Sequence, residues 1–316
     1  MSYNSSRRRD PASDPAQEAM MRAKMPFTIS DVFADEKYSG NPLATFIVDN
    51  EIADSEMQQI AREIHFSETT FILSRQEREG GYDVRIFTPA AEVDFAGHPT
   101  LGTADVIRRC VLSRPTDRVA LNLKAGQVPV RFSGNDGPAA VAWMRQIPPR
   151  FGAVLDAKRL ARVLGLEPNA VDSHWPVEEV STGLHHIIVP LTSLGELKKV
   201  KPNLREYDRL IRETWAKVIL AFCPGGYRQG HDLAVRVFPI SLGIFEDPAT
   251  GSGNGCLAAY LVRHRYFGKT DIDIQTGQGY EIGRPSTLHL RAGEREGAIT
   301  VEVGGRVIPV ASGLWD

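Results

Sequence analysis

The chain has 316 residues, of which 42% are hydrophobic and 24% are charged, close to the average composition of globular proteins. Its 37 Lys and Arg residues nearly balance its 39 Asp and Glu residues, which argues against nucleic-acid and membrane-surface partners. The sequence has no run of about 18 apolar residues, so we expect no membrane-spanning helix. The N-terminus also lacks the apolar core of a secretory signal, and we therefore expect a cytoplasmic protein.

The first predicted elements follow a polar N-terminal segment. Residues 1–25 are rich in Ser, Arg, Asp and Pro without apolar periodicity, which predicts a flexible tail. After this tail the patterns predict a strand at 43–48, a helix at 55–64, strands at 69–73 and 82–88, and a helix at 98–112. Ser55 and Gln58 fit a capping box at the start of the first of these helices.

The same order of elements recurs later in the chain. The patterns predict a strand at 186–191, a helix at 204–217, strands at 218–222 and 233–238, and a helix at 252–265. Asn203 is the candidate N-cap of the helix at 204–217. Residues 301–308 alternate around Gly304 and Gly305, which predicts a terminal hairpin.

Short sequence echoes indicate an internal repeat. The sequence VRIF at 84–87 resembles VRVF at 235–238, and AGH at 96–98 resembles TGS at 250–252. Such a period predicts an α+β protein of two pseudo-symmetric domains, at 26–146 and 147–316, with a cleft between them. Segment 143–155, which contains two adjacent prolines, is the predicted link. Whether the final strands pack back on the first domain stays open.

Two glycine-led helix starts are candidate anion sites. Gly97 and Gly251 each begin a predicted helix, whose first backbone N–H groups lack helical acceptors and can bind a carboxylate or an oxyanion. The repeat would bring both starts to one cleft. A dinucleotide fingerprint is excluded, because its third glycine would fall at Cys256.

Four side chains near these elements are candidate acid/base or binding groups. Glu68 lies between a predicted helix and a predicted strand, where a partly buried carboxyl with a raised pKa could take and return a proton. Taken alone, Glu68 also fits a solvated turn, Asp247 a turn before proline, His98 an ordinary helix residue and Ser252 an N-cap.

The cysteines and histidines do not indicate a metal or a disulfide. Cys110, Cys223 and Cys256 are odd in number and widely spaced, which favours buried structural thiols. His185 and His186 fall on a predicted strand, where alternation sends their rings to opposite faces.

Several motifs occur together in one order along the chain. They are SGNP at 39–42, SETTF at 67–71, IFTP at 86–89, GHPTLG at 97–102 and EDPATGS at 246–252. Through them the sequence resembles the PhzF-like family of phenazine-biosynthesis isomerase relatives, which has the diaminopimelate-epimerase-like fold. The resemblance implies two domains, each a mixed sheet rolled around a central helix, with the active site between them. It also implies a metal-free and cofactor-free isomerase of a small carboxylated substrate, commonly a homodimer.

The resemblance assigns roles to the candidates. Glu68 would shuttle a proton from C3 to C1 of trans-2,3-dihydro-3-hydroxyanthranilate. His98, Asp247 and Ser252 would bind and polarise the carboxylate and amine of the substrate. The substrate-binding glycines would be Gly97, Gly251 and Gly253.

One departure from the wider superfamily bears on the type of reaction. Its racemases use two cysteines beside the helix starts, whereas Ala96 and Thr250 stand there in this chain. Racemisation by two thiols is therefore disfavoured. An epimerase of a small amino or hydroxy acid and a catalytically silent carboxylate-binding protein remain the alternatives.

Overall fold

The computed structural model describes residues 24–114, 116–134 and 140–316. Nearly all of the predicted flexible tail at 1–25 lies outside these residues. Strands greatly outnumber helices in the described chain, so the architecture is a mixed, sheet-dominated α+β fold. None of the described helices is long and apolar enough to cross a membrane.

The strands and helices have the following bounds. The strands are β1 (Met25–Val32), β2 (Asn41–Ile47), β3 (Thr69–Ile72), β4 (Tyr82–Phe87), β5 (Glu92–Val93), β6 (Arg118–Leu123), β7 (Gly126–Ser133), β8 (Val141–Arg145), β9 (Arg150–Leu155), β10 (Val177–Ser181), β11 (His185–Pro190), β12 (Val218–Pro224), β13 (Leu233–Phe238), β14 (Asp271–Gln278), β15 (Ser286–Arg295) and β16 (Ala298–Trp315). The α-helices are α1 (Asp54–Ile64), α2 (Gly97–Val106), α3 (Ala157–Leu164), α4 (Leu194–Lys199), α5 (Leu204–Ile211) and α6 (Gly251–Arg263). A π-helical turn, Ile107–Val111, continues α2.

The last strand, β16, connects two series of paired strands. In the first series the order is β1-β2-β3-β4-β6-β7-β8-β16, and β16 pairs again with β1, so this series closes on itself. In the second series the order continues from β16 through β15, β14, β13, β12, β11 and β10 to β9. Because β16 is 18 residues long, its first part pairs with β15 and its last part with β1.

The two series repeat the same pairing pattern. In the first series, β2 and β3 are parallel, β3 and β4 antiparallel, and β4 and β6 parallel. In the second series, β11 and β12 are parallel, β12 and β13 antiparallel, and β13 and β14 parallel. Arg85 on β4 forms a two-pronged ion pair with Glu92, and Arg236 on β13 forms one with Glu246. Each guanidinium also lies 5.1 Å from the ring of the phenylalanine two residues later. The echo between 84–87 and 235–238 therefore corresponds to a repeated structure.

Helices α2 and α6 are buried almost along their whole length. Helix α2 contacts β1, β2, β3, β6, β7, β8 and β16, and α6 contacts β10, β11, β14, β15 and β16. Small residues permit this close packing: a Cβ at Gly102 would lie 2.9 Å from a methyl carbon of Val32. Helices so enclosed hold their N-termini in fixed positions.

The predicted terminal hairpin at 301–308 is wrong. Strand β16 runs without a turn through Gly304 and Gly305. These glycines are explained by packing, since a Cβ at Gly304 would lie 2.6 Å from the Trp143 ring and one at Gly305 would collide with Phe33. A glycine pair within alternating residues thus marks close packing here, not a reversal of the chain.

Two helix predictions also need correction. Helix α1 begins at Asp54 after Ala53 without a side-chain cap, and Gln58 instead donates to the carbonyls of Thr88 and Pro89, so the capping box is wrong. Helix α5 ends at Ile211, short of the predicted residue 217. The turn that follows is held by the Thr214 hydroxyl, which donates to backbone carbonyls, an alternative that threonine often offers to a helix.

The Asn203 cap is confirmed, because its side-chain oxygen accepts from the N–H groups of Arg205 and Glu206. At α6, by contrast, the N-cap position is Thr250, and Ser252 is the second residue of the helix. The N-cap alternative for Ser252 is therefore wrong.

Candidate active site

The starts of α2 and α6 lie against each other. A Cβ placed on Gly97 would be 3.8 Å from the Cα of Gly251 and 3.8 Å from the backbone nitrogen of Ser252. This contact confirms the convergence expected from the repeat. The two N-terminal ends bring backbone N–H donors and the positive ends of two helix dipoles to one place.

Glu68 faces this place from the start of β3. The residue His65 ends α1 in the left-handed conformation, and the chain then reaches β3 at Thr69, so Glu68 lies at the junction of the two elements. Its side chain is 19% exposed, and its Oε2 lies 3.6 Å from Nε2 of His98. Both of these atoms are buried without a hydrogen-bond partner among the described residues. Buried polar atoms are seldom left unpaired, so this pair marks a site that a ligand can complete.

His98 is held as a neutral imidazole. It is the second residue of α2 and is 6% exposed. Burial lowers its pKa to about 3, although a hydrogen bond to the backbone of Pro42 acts in the opposite direction. Proline offers only a carbonyl, so the ring donates to Pro42 and leaves the lone pair of Nε2 toward Glu68. The contact between His98 and Glu68 is consequently not an ion pair.

The surroundings of the Glu68 carboxyl favour its protonated form. Burial raises its pKa to about 8, and the nearby negative charge of Asp247 adds to this effect. A group whose pKa lies close to the working pH can both release and accept a proton at low cost. Glu68 therefore has the electrostatic setting of an acid/base group.

Asp247 lies just before α6 and differs from Glu68 in its surroundings. Its Oδ1 accepts from Nδ2 of Asn41 at 3.2 Å, and its Oδ2 accepts from the hydroxyl of Thr250. Burial raises its pKa to about 6, while these two hydrogen bonds act to lower it. Environments that separate the pKa values of two neighbouring carboxyls are typical of acid/base sites.

The structure adds Asn41, to which the sequence analysis gave no role. Its Nδ2 also donates to the carbonyl of Ala249 at 3.1 Å, and its Oδ1 is buried without a partner in the part of the chain described. Gly40, at φ +66°, supplies the turn that delivers this side chain, since a Cβ there would collide with the Val32 carbonyl. The SGNP motif at 39–42 was the available signal.

Of the two remaining predicted site residues, one lies beside the α2 start and the other packs against the core. Ser252 is half-buried beside the α2 start. Gly253 has its Cα side toward the core, where a Cβ would lie 3.2 Å from the ring of His186 and from Leu220. Six of the seven predicted residues therefore meet at the helix starts, whereas the side of Gly253 on which a Cβ would lie faces the core. The six are Glu68, Gly97, His98, Asp247, Gly251 and Ser252.

The predictions for the cysteines and for the two adjacent histidines are confirmed in part. Cys223 and Cys256 are buried thiols, whereas Cys110 is exposed, so the expectation of a buried thiol is wrong for Cys110. His185 and His186 lie on β11, as expected. Within the described ranges, no group of three His, Cys, Asp or Glu side chains is arranged to hold a metal ion.

Comparisons with known proteins identify the family of this chain. A family model described as phenazine biosynthesis-like protein, PhzC-PhzF, matches residues 30–313. The trans-2,3-dihydro-3-hydroxyanthranilate isomerase of Pseudomonas aeruginosa is 34% identical over 293 residues, which cover 91% of this chain and 98% of that protein. An uncharacterized isomerase of Clostridium acetobutylicum is 33% identical over 294 residues, covering 89% of this chain and 94% of the other.

Solved structures extend the similarity to the fold. A PhzF-family phenazine biosynthesis protein of Bacillus anthracis matches with a TM-score of 0.85 and 26% identity, over 93% of this chain and 99% of that one. A probable proline racemase of Agrobacterium radiobacter matches with a TM-score of 0.61 at 11% identity, over 92% and 93%, and so shares the fold alone. The chain therefore belongs to the phenazine biosynthesis-like, or PhzC-PhzF, family of isomerases.

Proposed function

We propose that this isomerase moves a proton within a small carboxylate-bearing substrate, using Glu68 as its single acid/base group and no cofactor. One observation carries the proposal. The buried Oε2 of Glu68 has no hydrogen-bond partner among the residues that the structure describes, and it faces the neutral ring of His98 beside two helix N-termini. The named relative at 34% identity supports trans-2,3-dihydro-3-hydroxyanthranilate as the first substrate to test.

The proposed reaction keeps atoms and electrons balanced. Ionised Glu68 takes the proton from C3 as the C3–H bond breaks, and the electron pair moves through the conjugated double bonds. The carboxyl proton of Glu68 exchanges with solvent between the two steps, and Glu68 then protonates C1, which gives an enol that tautomerises to the ketone. A pKa raised to about 8 leaves a minor but usable fraction of the carboxylate at neutral pH and makes the protonated form a competent acid.

The other groups are proposed to bind and orient the substrate. The N–H donors of the two helix starts and the hydroxyl of Ser252 suit a carboxylate. Asp247 and the unpaired Oδ1 of Asn41 suit an amine, because both present acceptors. His98 presents an acceptor at Nε2, which would receive the proton of Glu68 or a donor of the substrate.

We also propose the finer architecture that the resemblance implies. The units would be two pseudo-symmetric domains, 26–146 and 147–316, each rolled around one buried helix, α2 or α6, with the site between them. The repeated pairing pattern of the strands supports this division. A cytoplasmic homodimer remains part of the proposal, and light scattering of the purified chain would measure the oligomeric state.

The test is proton exchange in deuterated water with trans-2,3-dihydro-3-hydroxyanthranilate, followed by NMR. Glu68→Gln keeps the size of the side chain but removes its acid/base function, and we expect it to lower turnover about 10³-fold. Glu178→Gln is the matched control, because Glu178 is also buried but binds His264 beyond the opposite end of α6. Unchanged turnover in Glu68→Gln would contradict the proposed role.

The product of the same reaction separates the alternatives. Deuterium incorporated with inversion at one carbon, without a shifted double bond, would indicate an epimerase. A thermal shift with the substrate but no exchange at any carbon would indicate a silent carboxylate-binding protein.

A further inference from the structure

A fully buried glutamine side chain binds the segment that leads into α6. Gln278 is the last residue of β14 and is 0% exposed. Its Nε2 donates to the backbone carbonyl of Asp247 at 2.8 Å and to the Thr250 hydroxyl at 3.0 Å. Its Oε1 accepts from the Thr250 N–H at 3.2 Å and from Nδ2 of Asn254 at 2.9 Å. A single side chain thus holds the segment that carries Asp247.

The partners of Gln278 fix the orientation of its amide. Both groups near Nε2 are oxygen atoms that can accept, and both groups near Oε1 are nitrogen donors. A flipped amide would place donor against donor and acceptor against acceptor, a costly arrangement for a fully buried side chain. Gln278 is therefore a donor toward the Thr250 hydroxyl.

This orientation determines where the hydroxyl hydrogen of Thr250 points. A hydroxyl has one hydrogen, and Gln278 occupies a lone pair of its oxygen. The hydrogen is then free to be donated to Oδ2 of Asp247, which is within hydrogen-bond distance. With Asn41 donating to Oδ1, each oxygen of the carboxylate receives one donor.

The charges around Asp247 explain why the direction of the Thr250 hydroxyl matters for its ionisation. Glu246 precedes it in the chain and is neutralised by Arg236, while Glu68 faces it from the start of β3, with the neutral ring of His98 beyond. No cation among these groups compensates Asp247 directly. The two hydrogen bonds from Asn41 and Thr250 stabilise the charge of Asp247. If the Thr250 hydroxyl turned away, Asp247 would lose one of these bonds, which favour its ionised form.

We propose that Gln278 is a positioning residue, which orients the Thr250 hydroxyl so that Asp247 stays ionised and fixed at the edge of the site. The inference rests on the proposed function in that Asp247 is taken to bind substrate. Gln278 itself acts only through Thr250 and the Asp247 backbone.

The test compares substitutions at Thr250 and at Gln278. Thr250→Val removes the hydroxyl, Thr250→Ser keeps it, and Gln278→Glu presents an acceptor where the amide nitrogen was, which draws the hydroxyl hydrogen away from Asp247. The pH at which Asp247 ionises is measured by carbon NMR of protein labelled at Asp carboxyls, with Asp247→Asn to assign the signal. We expect this pH to rise by about one unit in Thr250→Val and Gln278→Glu, and to stay unchanged in Thr250→Ser.

A control within the same network separates positioning from general damage. The Thr276 hydroxyl is 0% exposed and donates to Oδ1 of Asn254 at 2.7 Å, and among the described residues it makes no hydrogen bond with Asp247 or Thr250. Thr276→Val should therefore lower stability without moving the titration of Asp247. A titration that is the same in Thr250→Val as in the wild type, or that moves equally in Thr276→Val, would overturn the inference.

Activity then tests the link to the proposed function. We expect kcat/KM near neutral pH to fall about ten-fold in Thr250→Val and to be restored in Thr250→Ser. The titration needs no substrate, so a wild-type protein without isomerase activity would refute the proposed function while the titration still decides the role of Gln278.

Discussion

The α2 start and the α6 start meet at one site but differ in how their polar atoms are satisfied. At the α2 start, Oε2 of Glu68 and Nε2 of His98 are buried and have no hydrogen-bond partner within the described parts of the chain. At the α6 start, Asp247 and Thr250 belong to a buried network in which Gln278 and Asn254 pair their donors and acceptors. Unpaired buried groups cost stability, whereas a satisfied network makes a segment rigid. Under the proposed function, the α2 start would supply the reactive groups and the α6 start would supply a fixed frame.

The largest expected effect comes from the arginine–glutamate pairs that precede the two starts. Arg236 and Glu246 have side chains only 7% and 4% exposed, whereas Arg85 and Glu92 are 22% and 24% exposed. Arg236→Met leaves a buried carboxylate without its partner and should lower the free energy of unfolding by about 3 to 5 kcal/mol. Arg85→Met should cost about 1 kcal/mol. Urea denaturation measures both, and equal losses would contradict the proposed difference in rigidity.

A second pair of substitutions compares the two carboxyls. Asp247→Leu leaves one N–H of Asn41 and the hydroxyl hydrogen of Thr250 without an acceptor and should lower the free energy of unfolding by about 2 to 3 kcal/mol. Glu68→Met removes a buried polar group that has no partner and should raise it by about 1 kcal/mol. Both variants should lose activity. Thermal and urea unfolding decide the sign, and a destabilised Glu68→Met would show that Glu68 has a structural partner after all.

The smallest effect is a pH dependence that arises at the α2 start. The pKa of Glu68 is raised to about 8 in the folded chain, so between its ordinary value of 4.5 and 8 the folded chain binds more protons than the unfolded chain. Stability must therefore fall as pH rises through 8. Between pH 7 and 9 we expect a loss of about 1 kcal/mol from this group. Glu68→Gln should remove that part of the slope in denaturation curves at the two pH values, and an identical slope in both proteins would place the titration elsewhere.

The sequence predicted the parts of the site that depend on local patterns. Gly97 and Gly251 were found because glycines preceded apolar helical stretches, and the convergence of the two starts followed from the echo between 84–87 and 235–238. The place of Glu68 at the junction of a helix and a strand made it a candidate, although position alone also fitted a solvated turn, and the family resemblance gave it the acid/base role. Such features are written within a few residues of the chain.

Contacts between distant segments were not predictable in the same way. Gln278 reaches Asp247 and Thr250 across 31 and 28 residues, and Asn41 reaches Asp247 across 206. No local signal states these partners, although the SGNP motif marked Asn41 as a position of interest. The glycines 304 and 305 were misinterpreted for the same reason, because the rings that require them lie on β8 and beside β1.

The course of β16 also constrains how the chain can fold during synthesis. Met25 at the start of β1 pairs with Trp315 at the end of β16, so the first closed series of strands joins the two extremes of the described chain. A ribosome releases the N-terminal strands long before it has made their last neighbour. The first strands therefore keep an unpaired edge until β16 has been made. Deletion of the last strand alone would thus leave the earlier strands with an unpaired edge, the kind of surface that promotes aggregation.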